Sequence, residues 1–84
     1  MNLVFSVLAD AQLRELPTQI SNRIVLKLEW YAAQLQPLHF AKPLTGMSGQ
    51  FRFRIGEYRA IVLPDGTVLS VLRIQKRSEA YRKK

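Results

Sequence analysis

The sequence contains no cysteine and only one histidine, His39, among its 84 residues. The lack of cysteine excludes disulfide bonds and thiolate metal sites, and one histidine is too few for the common histidine-based zinc sites. We therefore expect neither a metal nor another cofactor. No apolar run approaches the roughly 20 residues that cross a bilayer, and the N-terminus lacks the basic segment of a signal peptide. These absences predict a cytoplasmic protein without membrane contact.

Positive charge is concentrated in the second half of the chain. The net charge is +7, from 13 Lys and Arg against 6 Asp and Glu. Residues 1–41 contain equal numbers of basic and acidic side chains, so the whole excess lies in residues 42–84. A one-sided positive field attracts polyanions such as nucleic acid. Charge alone also fits a basic protein without such a ligand, so the positions of the cations have to separate the two interpretations.

The most informative pattern lies in residues 50–63. Apolar residues and arginines alternate there with the period of a strand, in the order Phe51, Arg52, Phe53, Arg54 and Ile55. The following Gly56-Glu57 predicts a two-residue hairpin turn, which places Arg54 opposite Arg59. Like charges placed opposite each other destabilise a sheet. A merely solvated face would mix in Glu, Thr and Ser, so this face predicts a bound anion.

The order of the segments predicts an α+β fold. The predicted elements are a strand over residues 2–7, helices over 8–16 and 18–35, the hairpin, a last strand over 68–74 and a basic tail over 75–84 with a short helix capped by Ser78. The result is a single domain of residues 1–84, with a four-stranded sheet, helices on one face and arginines on the other. If Asp65-Gly66 forms the second turn, Arg59 faces Leu72, although a bulge would shift this pairing.

The second predicted helix has two apolar sides. Its core-facing side is predicted to consist of Ile20, Ile24, Leu28, Tyr31 and Leu35. Thr18 or Ser21 is the expected N-terminal cap. The other side contains Leu26, Trp30 and Ala33. These three residues either extend the core or form a docking surface for another chain, since Trp is enriched at interfaces.

Three blocks of the sequence resemble the signature motifs of the RelE/ParE superfamily of bacterial and archaeal toxins. The blocks are Lys42-Pro43-Leu44-Thr45-Gly46, the hairpin segment from Phe51 to Arg59, and Arg77-Ser78-Glu79-Ala80-Tyr81-Arg82. The families typically read K-P-L-x-G, Y-R-I/F-R-I/V-G-D/E-Y-R and H-R-x-x-V/A-Y. Each block alone is weak, but the three in this order and at this spacing are specific. The resemblance extends over nearly the whole chain.

The resemblance implies the toxin of a type II toxin–antitoxin pair, held inactive in a hetero-oligomer by a small acidic antitoxin. RelE-like members cleave messenger RNA on the ribosome through attack of a ribose 2′-hydroxyl on the adjacent phosphodiester. ParE-like members share the fold but poison DNA gyrase, and fold alone does not separate the branches. We favour the endoribonuclease. The alternatives are a gyrase poison and an inactive homologue that retains antitoxin binding.

The resemblance also implies roles for individual residues. The residues that match the active site of the family are Arg52, Arg54, Arg59, Arg77 and Tyr81. Guanidinium groups hold phosphate oxygens in a bidentate manner, and the tyrosine is expected to stack on a base or contact the 2′-hydroxyl. The expected RNA-binding extension consists of Lys42, Lys76 and Arg82. The antitoxin-binding side is instead inferred from the spare apolar side of the second helix and consists of Leu26, Trp30 and Ala33.

Proton transfer is the step for which the sequence offers no evident general base. Arginine stays protonated in proteins, and the two strand positions where relatives often have a lysine are both arginine. Lys76 stands where a histidine is common in the family. A lysine whose pKa is depressed by neighbouring arginines, or Tyr81, is the expected candidate. Catalysis mainly by positioning and electrostatic stabilisation is the alternative.

Overall fold

The computed structural model describes residues 1–77. Its elements are β1 (Asn2–Phe5), α1 (Val7–Glu15), α2 (Thr18–Ala32), a 3₁₀ helix (Pro37–Phe40), β2 (Lys42–Pro43), β3 (Phe51–Ile55), β4 (Tyr58–Asp65) and β5 (Val68–Lys76). The described strands form one 5-stranded sheet in the order β1-β5-β4-β3-β2. β1 runs parallel to β5, and the other neighbours are antiparallel. The predicted C-terminal helix capped by Ser78 lies outside the described residues.

The predicted α+β architecture is confirmed, with one strand more than the sequence pattern indicated. The additional strand, β2, consists of Lys42 and Pro43, which pair with Arg52 and Phe51. Two residues are too short to show an alternating pattern, and the proline lowers the strand signal further, although it is well tolerated at the edge of a sheet, where β2 lies. The pairing places Lys42 beside Arg52.

α1 begins and ends one residue earlier than predicted, whereas α2 begins at Thr18 as predicted but ends at Ala32 instead of Leu35. The Oγ of Ser6 caps α1 by accepting a hydrogen bond of 2.9 Å from the amide of Ala9. α2 has Pro17 at its N-cap position and no side-chain cap, so the predicted cap by Thr18 or Ser21 is wrong. The Ser21 hydroxyl instead donates to the carbonyl of Leu13 and ties the two helices together. No helix within residues 1–77 has the length and apolarity to cross a membrane.

The hydrophobic core lies between the helices and one face of the sheet. Its fully buried members include Ala9, Leu28, Phe53, Ala60, Val62, Leu69 and Val71. The ring of Tyr31 stacks on Phe53 with centroids 4.5 Å apart, which joins α2 to β3. Because strand side chains alternate between faces, a core position at Phe53 directs Arg52 and Arg54 to the opposite face of the sheet.

The two hairpins differ in how well their local sequence specifies the register. Gly56, at φ +60°, begins the β3–β4 turn, and the predicted pairing of Arg54 with Arg59 is confirmed. The second turn is formed by Gly66 and Thr67, because Asp65 pairs with Val68. A bulge at Ile61/Val62 shifts the register once more, so Arg59 pairs with Gln75 and the predicted pairing with Leu72 is wrong.

Substitution of two leucines from the predicted core-facing side of α2 tests where this helix ends. Leu28 is fully buried and Leu35 fully exposed, because the helix ends at Ala32. We expect Leu28→Ala to lower the free energy of unfolding by about 2–5 kcal/mol through loss of apolar contact and formation of a cavity. Leu35→Ala should change it by less than about 0.5 kcal/mol. Urea denaturation of the two variants measures the difference, and an equal loss in both would contradict this helix boundary.

Candidate functional site

Cations occupy neighbouring positions on the face of the sheet that the helices leave open. The strand pairing forms one row of Lys42, Arg52, Ile61 and Arg73, and an adjacent row of Arg54, Arg59 and Gln75. We call the surface formed by Lys42, Arg52, Arg54, Arg59 and Arg73 the arginine face. Ile61 is buried within it between Arg52 and Arg73, whose aliphatic stems are suited to cover apolar surface. The cations therefore surround a closely packed, buried residue of the sheet.

A cavity of about 200 Å³ opens on this face, and we call it the arginine pocket. Its lining residues are Phe40, Lys42, Arg52, Arg54 and Arg59. All but the phenylalanine are cations, and they come from three neighbouring strands, β2, β3 and β4. Phe40 enters from the end of the 3₁₀ helix. Such a concentration of positive charge in a concave site is suited to bind an anion.

Arg59 lies at the centre of the positive charge. Burial lowers the pKa of Arg59, and the charges of Arg52, Arg77 and Arg54 lower it further. The influence of Arg77 shows that this residue contributes to the same positive field. Its backbone amide donates to the carbonyl of Glu57, which fixes Arg77 beside the β3–β4 turn. An arginine retains its proton under all ordinary conditions, so the folded chain holds mutually repelling charges at this site.

The described carboxylates do not neutralise two of these guanidinium groups. Within residues 1–77, the ion pair present joins Arg14 to Asp10 on α1, at 2.9 Å. No ion pair between a carboxylate of this part of the chain and Arg52 or Arg54 is present. Within this part of the chain, the positive charge of these two side chains, which line the arginine pocket, is therefore not offset by a carboxylate.

Of the three residues predicted to extend RNA binding, Lys42, Lys76 and Arg82, the structure places Lys42 in the arginine pocket. Lys42 joins Arg52, Arg54 and Arg59 in the pocket, as described above. Lys76 does not: it pairs with Tyr58 and lines two cavities with that residue on the helix-covered side of the sheet. Because β5 extends to Lys76, the alternation places Gln75 on the arginine face instead. Tyr81 and Arg82 lie outside the described residues.

Two further residues of the site, Arg73 and Phe40, were not predicted from the sequence. Arg73 reaches the arginine face because the bulge places it opposite Ile61. The signal for a bulge is absent from the local sequence, so the pattern of β5 alone did not reveal this position. Phe40 lies in a short segment without apolar periodicity, between Pro37 and Lys42. Its proximity to the aromatic residues of α2 becomes visible only in three dimensions.

The second apolar side of α2 is exposed and does not extend the core. Leu26 and Trp30 are 65% and 48% exposed. They line a shallow cavity of about 580 Å³, the α2 groove, together with Gln19, Asn22, Arg23 and Lys27. The Lys27 ammonium lies 5.2 Å from the centroid of the Trp30 ring, a cation–π contact. Ala33, at the end of the helix, is exposed but does not line the groove.

A family sequence model matches the chain over almost its whole length. The sequence model described as the ParE toxin of the type II toxin–antitoxin system parDE matches residues 3–81. The chain belongs to the ParE toxin family. This finding confirms the resemblance to the RelE/ParE superfamily and identifies the protein as a toxin of a type II toxin–antitoxin system. No curated protein sequence matches the chain.

Solved structures of toxin–antitoxin complexes contain chains with the same fold. The RelBE2 complex of Mycobacterium tuberculosis matches with a TM-score of 0.75 and 29% identity, over 92% of this toxin and 91% of that chain. The RelB–RelE complex of Methanococcus jannaschii gives 0.73 and 24%, over 96% and 98%. The chromosomal ParDE system of Pseudomonas aeruginosa gives 0.73 and 17%, over 90% and 95%. Both branches of the superfamily therefore share this architecture.

Relief of charge repulsion provides a test of the arginine face in this toxin. Arg54 lies directly opposite Arg59, so we expect Arg54→Gln to raise the free energy of unfolding by roughly 0.2–1 kcal/mol at low salt. The gain should disappear in 1 M salt, where the screening length falls to about 3 Å. Thermal denaturation at both salt concentrations measures it. Arg23→Gln on exposed α2 is the matched control, and an equal gain in that variant would contradict local repulsion.

Proposed function

We propose that this toxin is an endoribonuclease that inhibits translation by cleaving messenger RNA on the ribosome. The observation that carries the proposal is the arginine pocket, in which three guanidinium groups and the Lys42 ammonium line one cavity. Arginine forms bidentate hydrogen bonds with phosphate oxygens. A phosphodiester bound in the pocket reduces the repulsion between Arg54 and Arg59. Its binding therefore also stabilises the fold.

The reaction that suits the pocket is cleavage of RNA by intramolecular transesterification at a phosphodiester. The ribose 2′-oxygen attacks the adjacent phosphorus, the bond to the 5′-oxygen breaks, and negative charge increases on the non-bridging oxygens. In this proposal Arg52 and Arg54, which line the pocket, position the phosphate, and half-buried Arg59 stabilises the developing charge. Arg77 adds to the field from the end of β5. The 2′-hydroxyl must lose a proton and the 5′-oxygen must gain one.

The proton donor and acceptor of this reaction have to come from groups other than the arginines, which stay protonated. Lys76 lines cavities on the helix-covered side of the sheet, away from the arginine pocket. Its position therefore argues against a direct part in proton transfer. Tyr81 keeps the role that its match to the family motif implies. Electrostatic stabilisation by the arginines is the contribution for which the described residues supply the groups.

Cleavage on translating ribosomes is the direct test of this function. Purified toxin is added to ribosomes translating a defined messenger, and new 5′ ends are mapped. We expect cleavage by the wild type and a loss of at least about 100-fold in Arg59→Ala, because one charge-stabilising donor typically contributes that much. Arg14→Ala, which removes an exposed cation of α1, is the control and should cleave normally. Intact messenger, or equal cleavage by Arg59→Ala, would contradict the proposal.

Poisoning of DNA gyrase is the second candidate, because the matching family description is that of a ParE toxin. A gyrase poison leaves messenger intact, inhibits supercoiling and accumulates stalled cleavage complexes. Supercoiling assays with purified gyrase therefore separate the two functions. A chain without effect on messenger, gyrase or growth would instead be an inactive homologue that retains antitoxin binding.

We also propose that a small acidic antitoxin binds the α2 groove and the arginine face in a hetero-oligomer. The chains with the same fold were solved as toxin–antitoxin complexes, which supports such a partner. The groove is lined by the apolar residues Leu26 and Trp30 and by the basic residues Arg23 and Lys27. This surface complements an amphipathic helix with acidic flanks. An acidic segment of the same partner suits the arginine face.

Removal of the Trp30 ring tests the groove as the antitoxin site. The partner for the assay is the small acidic protein encoded by the neighbouring reading frame, if one is present. We expect Trp30→Ala to weaken its binding by about 30-fold or more, the effect of losing an interface hot spot of about 2 kcal/mol. Leu35→Ala removes an exposed leucine after the end of α2 and should leave the affinity unchanged. Titration calorimetry measures both, and an unchanged affinity in Trp30→Ala would contradict this docking site.

A further inference from the structure

Phe40 is an aromatic side chain in the wall of the arginine pocket. It is 47% exposed and lines the cavity together with Lys42 and three arginines. It ends the 3₁₀ helix Pro37–Phe40, close in sequence to β2. Exposure of about half of an apolar ring to water does not stabilise the folded protein. This position indicates a second kind of contact to the ligand that the cations bind.

The Phe40 ring is held in place by other aromatic rings. It packs edge-on against Trp30, with centroids 5.3 Å apart, and at a tilt against Tyr31, at 5.5 Å. Tyr31 in turn stacks on Phe53 in the core. The ring is therefore connected to the core through two aromatic contacts. A side chain fixed before binding loses little conformational entropy when a ligand packs on it.

The combination of groups in the pocket determines the ligand class. Cations that track a phosphate backbone, together with an aromatic surface, are the two components of sites for single-stranded nucleic acid. A site for free phosphate or an acidic peptide needs only the cations. Unpaired RNA bases stack on aromatic rings, whereas bases within a duplex are not accessible for stacking. An exposed ring next to the arginines thus favours an unpaired nucleotide.

We propose that Phe40 is the stacking platform for one unpaired base of the RNA whose phosphate lies among Arg52, Arg54 and Arg59. This inference rests on the proposed endoribonuclease function and adds a contact to the base. The arginines hold the backbone without regard to sequence, and Phe40 fixes the position of the base next to the bound phosphate. Stacking orients the nucleotide and accepts any base, because each base has an aromatic face.

Binding of short RNAs with and without a base tests the platform. The probes are single-stranded 2′-O-methyl trinucleotides, which lack the attacking hydroxyl, as an intact form and as forms abasic at each position in turn. With wild-type toxin, we expect loss of one particular base to weaken binding by about 5- to 150-fold, the range for one base stacked on an aromatic ring. With Phe40→Leu, the intact and abasic probes should bind equally.

The controls separate stacking from a structural role of Phe40. Leucine keeps an apolar contact to Trp30 and Tyr31, and the melting temperature of each variant shows whether the fold is retained. Phe40→Trp should restore the preference for the intact probe, because it restores an aromatic face. The salt dependence of binding should be the same in Phe40→Leu as in the wild type, since the phosphate contacts remain. Leu35→Ala should retain the full preference.

The outcomes distinguish this inference from the function on which it rests. Equal affinity of wild type for intact and abasic probes, or an undiminished preference in Phe40→Leu, would overturn the stacking platform even if the toxin cleaves messenger on ribosomes. Such a result would indicate that Phe40 contacts an apolar group of a protein partner and not a base. A base preference without ribosomal cleavage would support the platform and refute the endoribonuclease. Absence of both cleavage and oligonucleotide binding would overturn both proposals.

Discussion

The repulsion between guanidinium groups that face each other across the β3–β4 hairpin is the constraint on which the site depends. Arg54 and Arg59 are opposed because Gly56, at φ +60°, begins a tight two-residue turn that sets the register of the hairpin. The stack of Tyr31 on Phe53 fixes which face of the hairpin is buried. The fold therefore cannot separate the two charges by moving one strand past the other. An anion bound between them lowers the energy of this arrangement.

The functional surfaces lie on different elements but share one aromatic contact. The arginine pocket opens on the sheet, and the α2 groove lies along the outer side of a helix. Trp30 lines the groove, Phe40 lines the pocket, and the two rings touch edge-on. In the proposed account, the groove binds the antitoxin and the pocket binds RNA. A partner that binds Trp30 thus contacts a residue that supports the wall of the pocket.

Features that are set by residues close together in the sequence were predicted correctly, whereas features that depend on contacts between distant parts of the chain were not. The β3–β4 register followed from a local turn and five alternating residues, so the opposed arginines were predicted correctly. The β4–β5 register depends on a bulge that no local pattern announces, and Arg73 was missed as a result. The same shift explains why Lys76 lies on the helix-covered side. Phe40 and the short strand at Lys42 depend on contacts distant in sequence, which composition and periodicity do not encode.

The central claim is that Arg52, Arg54 and Arg59 bind phosphates of single-stranded RNA, and the salt dependence of that binding tests it most directly. The slope of log affinity against log salt concentration is about −0.7 for each phosphate contact to a single strand. We expect Arg54→Gln to reduce the steepness of the slope by about 0.7 relative to the wild type, and Arg14→Gln to leave it unchanged. An identical slope for wild type and Arg54→Gln would contradict the account.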